Sequence, residues 1–344
     1  HCLHPGGLML RLPQFELIEP SSLYGALAAL AEHGPDAMVL AGGTDLLPNM
    51  KHGLFEPRML VSLAGIEELR GVQVTSEGGL SIGAMTPLAD VADHPEVRRR
   101  APALAQAAGL VAGPQLRSMG TLGGNVMLDT RCQWYNQTHF WRQALGFCLK
   151  KDGTVCHVVA GGKRCVAAAS NDSVPALTTL GASLRFERLG QARTIAIDEL
   201  WHSDGANNKR TEGGEILTRI EIPATPAGHL GAYGKLRDRG SIDFPLLGMA
   251  VRLDLDDQGL VEHADQVVVA LVARPVRIKG VHEALLGLRP GSADFEQALV
   301  PLAEAARRQC RPMANIPGDE DWRREMVAVF TRRTFLAAAE GASD

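Results

Sequence analysis

An α+β fold in two or three domains is what this sequence predicts, and three observations carry the prediction. A chain of 344 residues is longer than one hydrophobic core usually organises. Short apolar strand patterns alternate with glycine-rich turns through its first part, and antiparallel-type strands followed by helical patterns fill the rest. Between the two lies Pro-Ala-Thr-Pro-Ala-Gly-His-Leu-Gly at residues 223–231, a Pro/Gly-rich break that reads as a domain boundary.

Hydrophobic content of 45% and charged content of 22% are those of a soluble globular protein. A net charge of −4 gives no reason to expect a nucleic-acid or membrane-surface partner. No apolar run reaches the length of a membrane span. The start, His1-Cys2-Leu3-His4-Pro5-Gly6-Gly7, lacks the charged and apolar pattern of a secretory signal, so the cytoplasm is the expected location. Cys2 and His4 read as part of a mobile tail rather than as a metal site.

Leu17 to Glu32 is predicted as a helix entered through Pro20-Ser21-Ser22, with Leu23, Ala26, Leu27 and Leu30 at helical spacing and Gly34-Pro35 as its stop. Met38-Val39-Leu40 reads as a buried strand that runs into Ala41-Gly42-Gly43-Thr44-Asp45. A strand feeding such a turn presents consecutive backbone N–H groups that suit a phosphate, and a plain strand-to-helix turn is the alternative. Strands are expected at 59–63 and 80–84, a helix from Thr86 to about His94, and an Ala-rich helix from Val97 to Gly109. A second glycine turn follows, Gly120-Thr121-Leu122-Gly123-Gly124-Asn125. Two such turns suit a grip on two parts of one dinucleotide. Neither is G-x-G-x-x-G, so a Rossmann fold is not supported.

The segment after the second turn holds four of the six cysteines, Cys132, Cys148, Cys156 and Cys165, spaced C-x15-C-x7-C-x8-C. Six Lys or Arg residues between 131 and 165 face one acid, Asp152, and Trp134, Tyr135, Phe140, Trp141 and Phe147 accompany them. Thiols, aromatics and positive charge beside a nucleotide-type turn point to a redox or metal centre. Structural zinc usually takes paired knuckles, and this segment has no C-x-x-C. The wide spacing suits an iron–sulfur cluster, while zinc and unrelated buried cysteines remain open and a disulfide framework is disfavoured.

Beyond Cys165, strands are expected at 182–188, 193–197, 215–222, 248–256 and 266–273. Helices are expected at 276–286, 295–308 and 319–336. The basic run Arg323, Arg324, Arg332 and Arg333 reads as a solvated helix face, and Cys310 as a structural cysteine.

At Ala41-Gly42-Gly43-Thr44-Asp45-Leu46, Gly120-Thr121-Leu122-Gly123-Gly124-Asn125 and Asp172-Ser173-Val174-Pro175-Ala176-Leu177 the chain resembles the FAD subunit of the xanthine dehydrogenase family of molybdenum hydroxylases. The resemblance implies a two-part PCMH-type FAD-binding domain, residues 1–60 and 61–225, followed by a smaller α+β C-terminal domain at 226–344. In most members the third motif follows the second closely. Here an interval at about 130–170 separates them and contains the cysteines, as in the β subunit of 4-hydroxybenzoyl-CoA reductase, where the loop carries a 4Fe-4S cluster. By that resemblance Cys132, Cys148, Cys156 and Cys165 are the cluster ligands. Ala41, Gly42, Gly43, Thr44 and Asp45 cradle the FAD pyrophosphate, and Thr121, Gly123, Gly124 and Asn125 continue the grip. Asp172 contacts the ribityl or adenosine portion, with helix N-capping as its other expected role. By a weaker carry-over, Tyr233, Lys235 and Arg239 approach the isoalloxazine from the C-terminal domain.

The implied activity is electron transfer within a molybdenum-containing 4-hydroxybenzoyl-CoA reductase. A molybdopterin subunit would carry the substrate chemistry, a 2Fe-2S subunit would lie between it and the flavin, and a dimer of heterotrimers is expected. A low-potential donor such as ferredoxin would supply single electrons, and the local positive charge would offset the anionic cluster and dock an acidic donor. A family member oxidising an N-heterocycle or aldehyde is the alternative. A non-redox scaffold with zinc is the reading from a different class.

Overall fold

The computed structural model describes residues 10–341; Cys2 and His4 lie outside the described residues. Three sheets divide the chain. The first is parallel, in the order β1–β3–β2, from β1 (Glu16–Ile18), β2 (Ala37–Leu40) and β3 (Met59–Ser62). Helix α1 (Leu23–His33) covers it through Ala26, Leu27 and Leu30, and α2 (Leu46–Lys51) leaves its carboxyl end. The Ser22 hydroxyl caps α1 by accepting from the Gly25 N–H at 3.2 Å. The expected helix therefore starts later than Leu17, because Leu17 pairs with Leu60 in β1 and Pro20 separates the two elements. Strand β3 also runs through residue 60, so the first sheet continues past that position.

The second sheet is antiparallel, in the order β4–β5–β8–β6–β7. Its strands are β4 (Val72–Val74), β5 (Leu80–Gly83), β6 (Ser183–Arg188), β7 (Gln191–Ala196) and β8 (Ile216–Ile222). Sharing its core are α3 (Leu88–Asp93), α4 (Pro95–Arg100), α5 (Pro102–Gly109) and, after α6 (Pro114–Met119), which lies against α3, α7 (Leu122–Val126). Short α8 (His139–Ala144) belongs to the cysteine segment, and α9 (Ser173–Thr179) is buried along its whole length. The Ala-rich helix expected at 97–109 is broken at Ala101, because Pro102 pushes the residue before it out of helical conformation.

The third sheet, β12–β11–β10–β9, is antiparallel. It contains β9 (Gly228–Leu236), β10 (Leu247–Leu255), β11 (Val261–Val269) and β12 (Val276–Arg277), and is backed by α10 (Val281–Leu285), α11 (Ala293–Gln309) and α12 (Glu320–Glu340). The helix expected from Val276 begins only at Val281, since Val276 and Arg277 pair with β11. Phe295 and Phe335 are fully buried here, each contributing about 2–3 kcal/mol of burial. No helix among the described residues is long and apolar enough to cross a membrane.

The basic run on α12 is not wholly solvated. Arg323 is buried and donates to the Leu246, Met313 and Ala270 carbonyls at 3.0, 2.9 and 2.6 Å. Burial pulls its pKa down to about 10, so it remains a cation at neutral pH. Arg323→Met fills most of the volume but leaves three buried carbonyls without donors. The expected cost is about 2–4 kcal/mol, read by calorimetry as a lower Tm with unchanged flavin content.

Candidate functional site

The first glycine turn leaves β2 and enters α2. Gly43 has φ +71°, which favours glycine. The backbone N–H groups of Gly42, Gly43, Thr44 and Asp45 have no protein acceptor among the described residues, so they are free to meet an anion. The second turn enters α7, where the Thr121 hydroxyl accepts from the Gly124 N–H at 3.1 Å. The two turns meet. A Cβ on Gly42 would fall 1.9 Å from the Met119 carbonyl oxygen, one on Gly120 would lie 3.4 Å from the Thr44 hydroxyl, and one on Gly124 would lie 4.0 Å from the Ala41 Cβ. Gly123 packs against Ala84 with no room for a side chain, whereas Gly124 is exposed.

Asn125 faces inward. Its side-chain oxygen accepts from the Ser173 N–H at 3.0 Å and from the Ser173 hydroxyl at 2.6 Å, tying the turn to α9. Asn171 completes the joint by donating to the Asn125 and Val126 carbonyls at 2.8 and 3.0 Å. Sequence reasoning missed Asn171, and nothing local marks it.

Asp172 makes no side-chain cap, contrary to the N-cap expectation. Its carboxylate accepts from the Tyr233 hydroxyl at 2.7 Å and from Lys235 at 3.0 Å, and Lys235 also donates to the Leu110 carbonyl at 3.0 Å. Burial raises the Asp172 carboxyl and lowers the Lys235 ammonium, while their mutual attraction opposes both shifts. Burial also holds the Tyr233 hydroxyl well above its ordinary range. The structure thus brings together the three residues expected from separate motifs, as a closed clamp between α9 and β9. Arg239 stands apart, exposed and paired with Asp243.

The four loop cysteines line one small cavity together with Trp134, Tyr135, Lys150 and His157. Cys132, Cys148 and Cys165 are buried and Cys156 is half-buried; all four are free thiols. Burial pushes the Cys132 thiol up to about 12, and the Cys165, Cys148 and Cys156 sulfurs add to the rise. Burial also raises Cys165, with the Ala167 N–H and Lys150 pulling the other way. The Val159 and Ala167 N–H groups point at the Cys156 and Cys165 sulfurs, each at 3.4 Å. Phe147 and Asp152, on either side of Cys148, hold φ of +61° and +63°, strain that costs roughly 1–3 kcal/mol each and collects at functional segments. No three ligand side chains among the described residues converge tightly enough to grip a single metal ion.

The basic residues of the segment work mainly as clamps. Arg142 is buried and donates to the His52 and Gly53 carbonyls at 3.2 and 2.9 Å. Lys150 is held by Asp129, Thr130 and Gly205. Arg131 pairs with Asp45 at 3.0 Å and stacks 3.7 Å from the Phe244 ring centroid, linking the cysteine segment to the first glycine turn. Burial keeps the Asp45 carboxyl above its ordinary value despite that partner. The expected docking charge is thus reduced to outward-facing residues such as Lys163 and Arg164. A cleft of about 280 Å³ runs beside Arg131, Cys132, Ser170, Phe244 and Ile316, and the buried Ser170 hydroxyl has no partner.

Residues 13–225 match the FAD binding domain in molybdopterin dehydrogenase, and residues 231–338 match the CO dehydrogenase flavoprotein C-terminal domain. The carbon monoxide dehydrogenase medium chain of Hydrogenophaga pseudoflava is 30% identical over 95% of this chain and 97% of its own length. The nicotinate dehydrogenase FAD-subunit of Eubacterium barkeri is 26% identical over 85% of this chain and 86% of its own. Among solved structures, Cu,Mo-CO dehydrogenase aligns with a TM-score of 0.77 at 27% identity, covering 96% of this chain and 99% of that one. Quinoline 2-oxidoreductase from Pseudomonas putida 86 gives 0.75 at 26%, covering 97% and 100%. With both domains matched in order, the chain belongs to the FAD-binding subunits of the molybdenum hydroxylase family.

Proposed function

We propose that this chain is the FAD and 4Fe-4S electron-transfer subunit of a molybdenum-containing 4-hydroxybenzoyl-CoA reductase. One observation carries the reading beyond the family: all four cysteines of the insertion line a single cavity. Four thiolates are a usual ligand set of a 4Fe-4S cluster, and the C-x15-C-x7-C-x8-C spacing lacks the paired knuckles of structural zinc.

When bound, FAD supplies two-electron storage and the cluster a one-electron relay. The chain's own residues divide the remaining work. The N–H groups of Gly42 to Asp45 meet the pyrophosphate, and Thr121, Gly123 and Gly124 hold the facing turn. Asn125 and the Asp172–Tyr233–Lys235 clamp fix the wall behind them. Cys132, Cys148, Cys156 and Cys165 hold the cluster, and Trp134, Tyr135 and Leu54 exclude water from it. The overall reaction takes 4-hydroxybenzoyl-CoA, two electrons and two protons to benzoyl-CoA and water on a molybdopterin partner subunit. A 2Fe-2S subunit connects the two, and a low-potential donor such as ferredoxin feeds this chain.

A second reading has its own support. The relatives named above act on carbon monoxide, nicotinate and quinoline, so a hydroxylase of an N-heterocycle or aldehyde fits the family equally. The purified complex separates the two. For the reductase, reduced viologen should drive benzoyl-CoA formation, with about four iron and four sulfide bound beyond the 2Fe-2S partner's share. Turnover only in the oxidative direction, on aldehydes or N-heterocycles with a dye acceptor, would establish the second reading instead.

A further inference from the structure

We propose that Lys150 sets the reduction potential of the cluster held by the four thiols, and that Asp129 moderates it; the inference rests on the cluster reading above. Lys150 is the one Lys or Arg among the residues lining the cysteine cavity. Its side chain is 4% exposed, so little water screens its charge. Its ammonium donates to Asp129 Oδ1 and to the Gly205 carbonyl, each at 2.8 Å, and to the Thr130 hydroxyl, while lying 4.6 Å from the Tyr135 ring centroid. All three donors of the ammonium are engaged, so the charge cannot swing out to solvent.

Four thiolates around a 4Fe-4S core make a doubly negative centre, and reduction by one electron makes it triply negative. A fixed cation stabilises the more negative state more, since Coulomb energy scales with the product of the charges. Lys150 therefore raises the potential. Asp129, paired with it at 2.8 Å and outside the cavity lining, carries the opposite charge and holds that effect down. A clamp with a purely structural role makes a different prediction. Loss of either partner would then loosen the same loop and move the cluster in the same direction.

The test is a redox titration of the purified complex, with the cluster followed by its EPR signal at matched iron content. Lys150→Met is expected to shift the midpoint to lower potential and Asp129→Asn to shift it to higher potential. Lys150→Arg should stay near wild type, and Lys163→Met, on the exposed side of the same loop, should leave the midpoint unchanged. A wild-type midpoint in iron-replete Lys150→Met, or shifts of the same sign in Lys150→Met and Asp129→Asn, overturns the proposal. If Lys150→Met does not retain iron, Asp129→Asn decides alone, and a midpoint at or below wild type overturns it. Iron and sulfide missing from the wild-type complex would instead overturn the cluster reading, and this inference with it.

Discussion

Serine at Cys132, Cys148, Cys156 or Cys165 is expected to strip iron and acid-labile sulfide together from the insertion. The four thiols share one cavity and three of them are buried, so a cluster deprived of one ligand has no further thiol in that cavity among the described residues. Cys310 supplies the control. It is buried in the C-terminal core, where burial pushes its thiol up to about 12. Cys310→Ser should cost about 1–3 kcal/mol by placing a hydroxyl among apolar neighbours, yet leave iron and flavin at wild-type levels. Iron and sulfide analysis of the five single variants checks the set. Full iron in any of the four loop variants, or its loss at Cys310, would sink the ligand assignment.

Gly42→Ala should be the most damaging single change for the flavin. Its Cβ would sit 1.9 Å from the Met119 carbonyl oxygen and 2.6 Å from the carbonyl carbon. Both partners are backbone, so no rotamer change relieves the clash and the two glycine turns must separate. A cost of about 3 kcal/mol or more is expected, with FAD retention falling at least about tenfold, since each 1.4 kcal/mol is a factor of ten in affinity. Gly43→Ala is the comparison. Its Cβ would meet only the Leu47 and Leu40 side chains, at 3.1 and 3.3 Å, and its cost comes mainly from φ +71°, about 1–2 kcal/mol. Flavin absorbance and Tm measured together separate the two variants. Gly42→Ala with wild-type flavin content would mean that the turns do not clasp the cofactor between them.

These turns were legible because their glycines leave a mark in sequence, whether the demand is local, as φ +71° at Gly43, or tertiary, as the Met119 carbonyl against Gly42. Strands β2, β3 and β5 were legible as apolar runs. Strand β1 was not, since it is three residues long and exists only by pairing with β3 some forty positions away. Arg323 looked solvated because its helix carries other arginines, and the carbonyls that hold it come from Leu246, Ala270 and Met313, remote in sequence. Asp172 reads locally as a helix cap, and the structure ties its carboxylate to Tyr233 and Lys235 instead, residues remote in sequence. The basic excess around the cysteines was noticed, but its main use as internal clamps through Arg131, Arg142 and Lys150 depends on acceptors that no spacing rule reveals.

The neck of the cysteine segment has a consequence for how such a protein comes to exist. Arg131 and Ala168 exchange both backbone hydrogen bonds, at 2.8 and 2.7 Å, so the segment leaves and rejoins the flavin scaffold at one point. Partners in such a bridge lie about 5.5 Å apart between Cα atoms, a gap that a tight turn can close. A segment with this geometry is topologically silent: it can lengthen or shorten without rethreading any strand on either side. In topology, the scaffold and the cysteine segment are separable units.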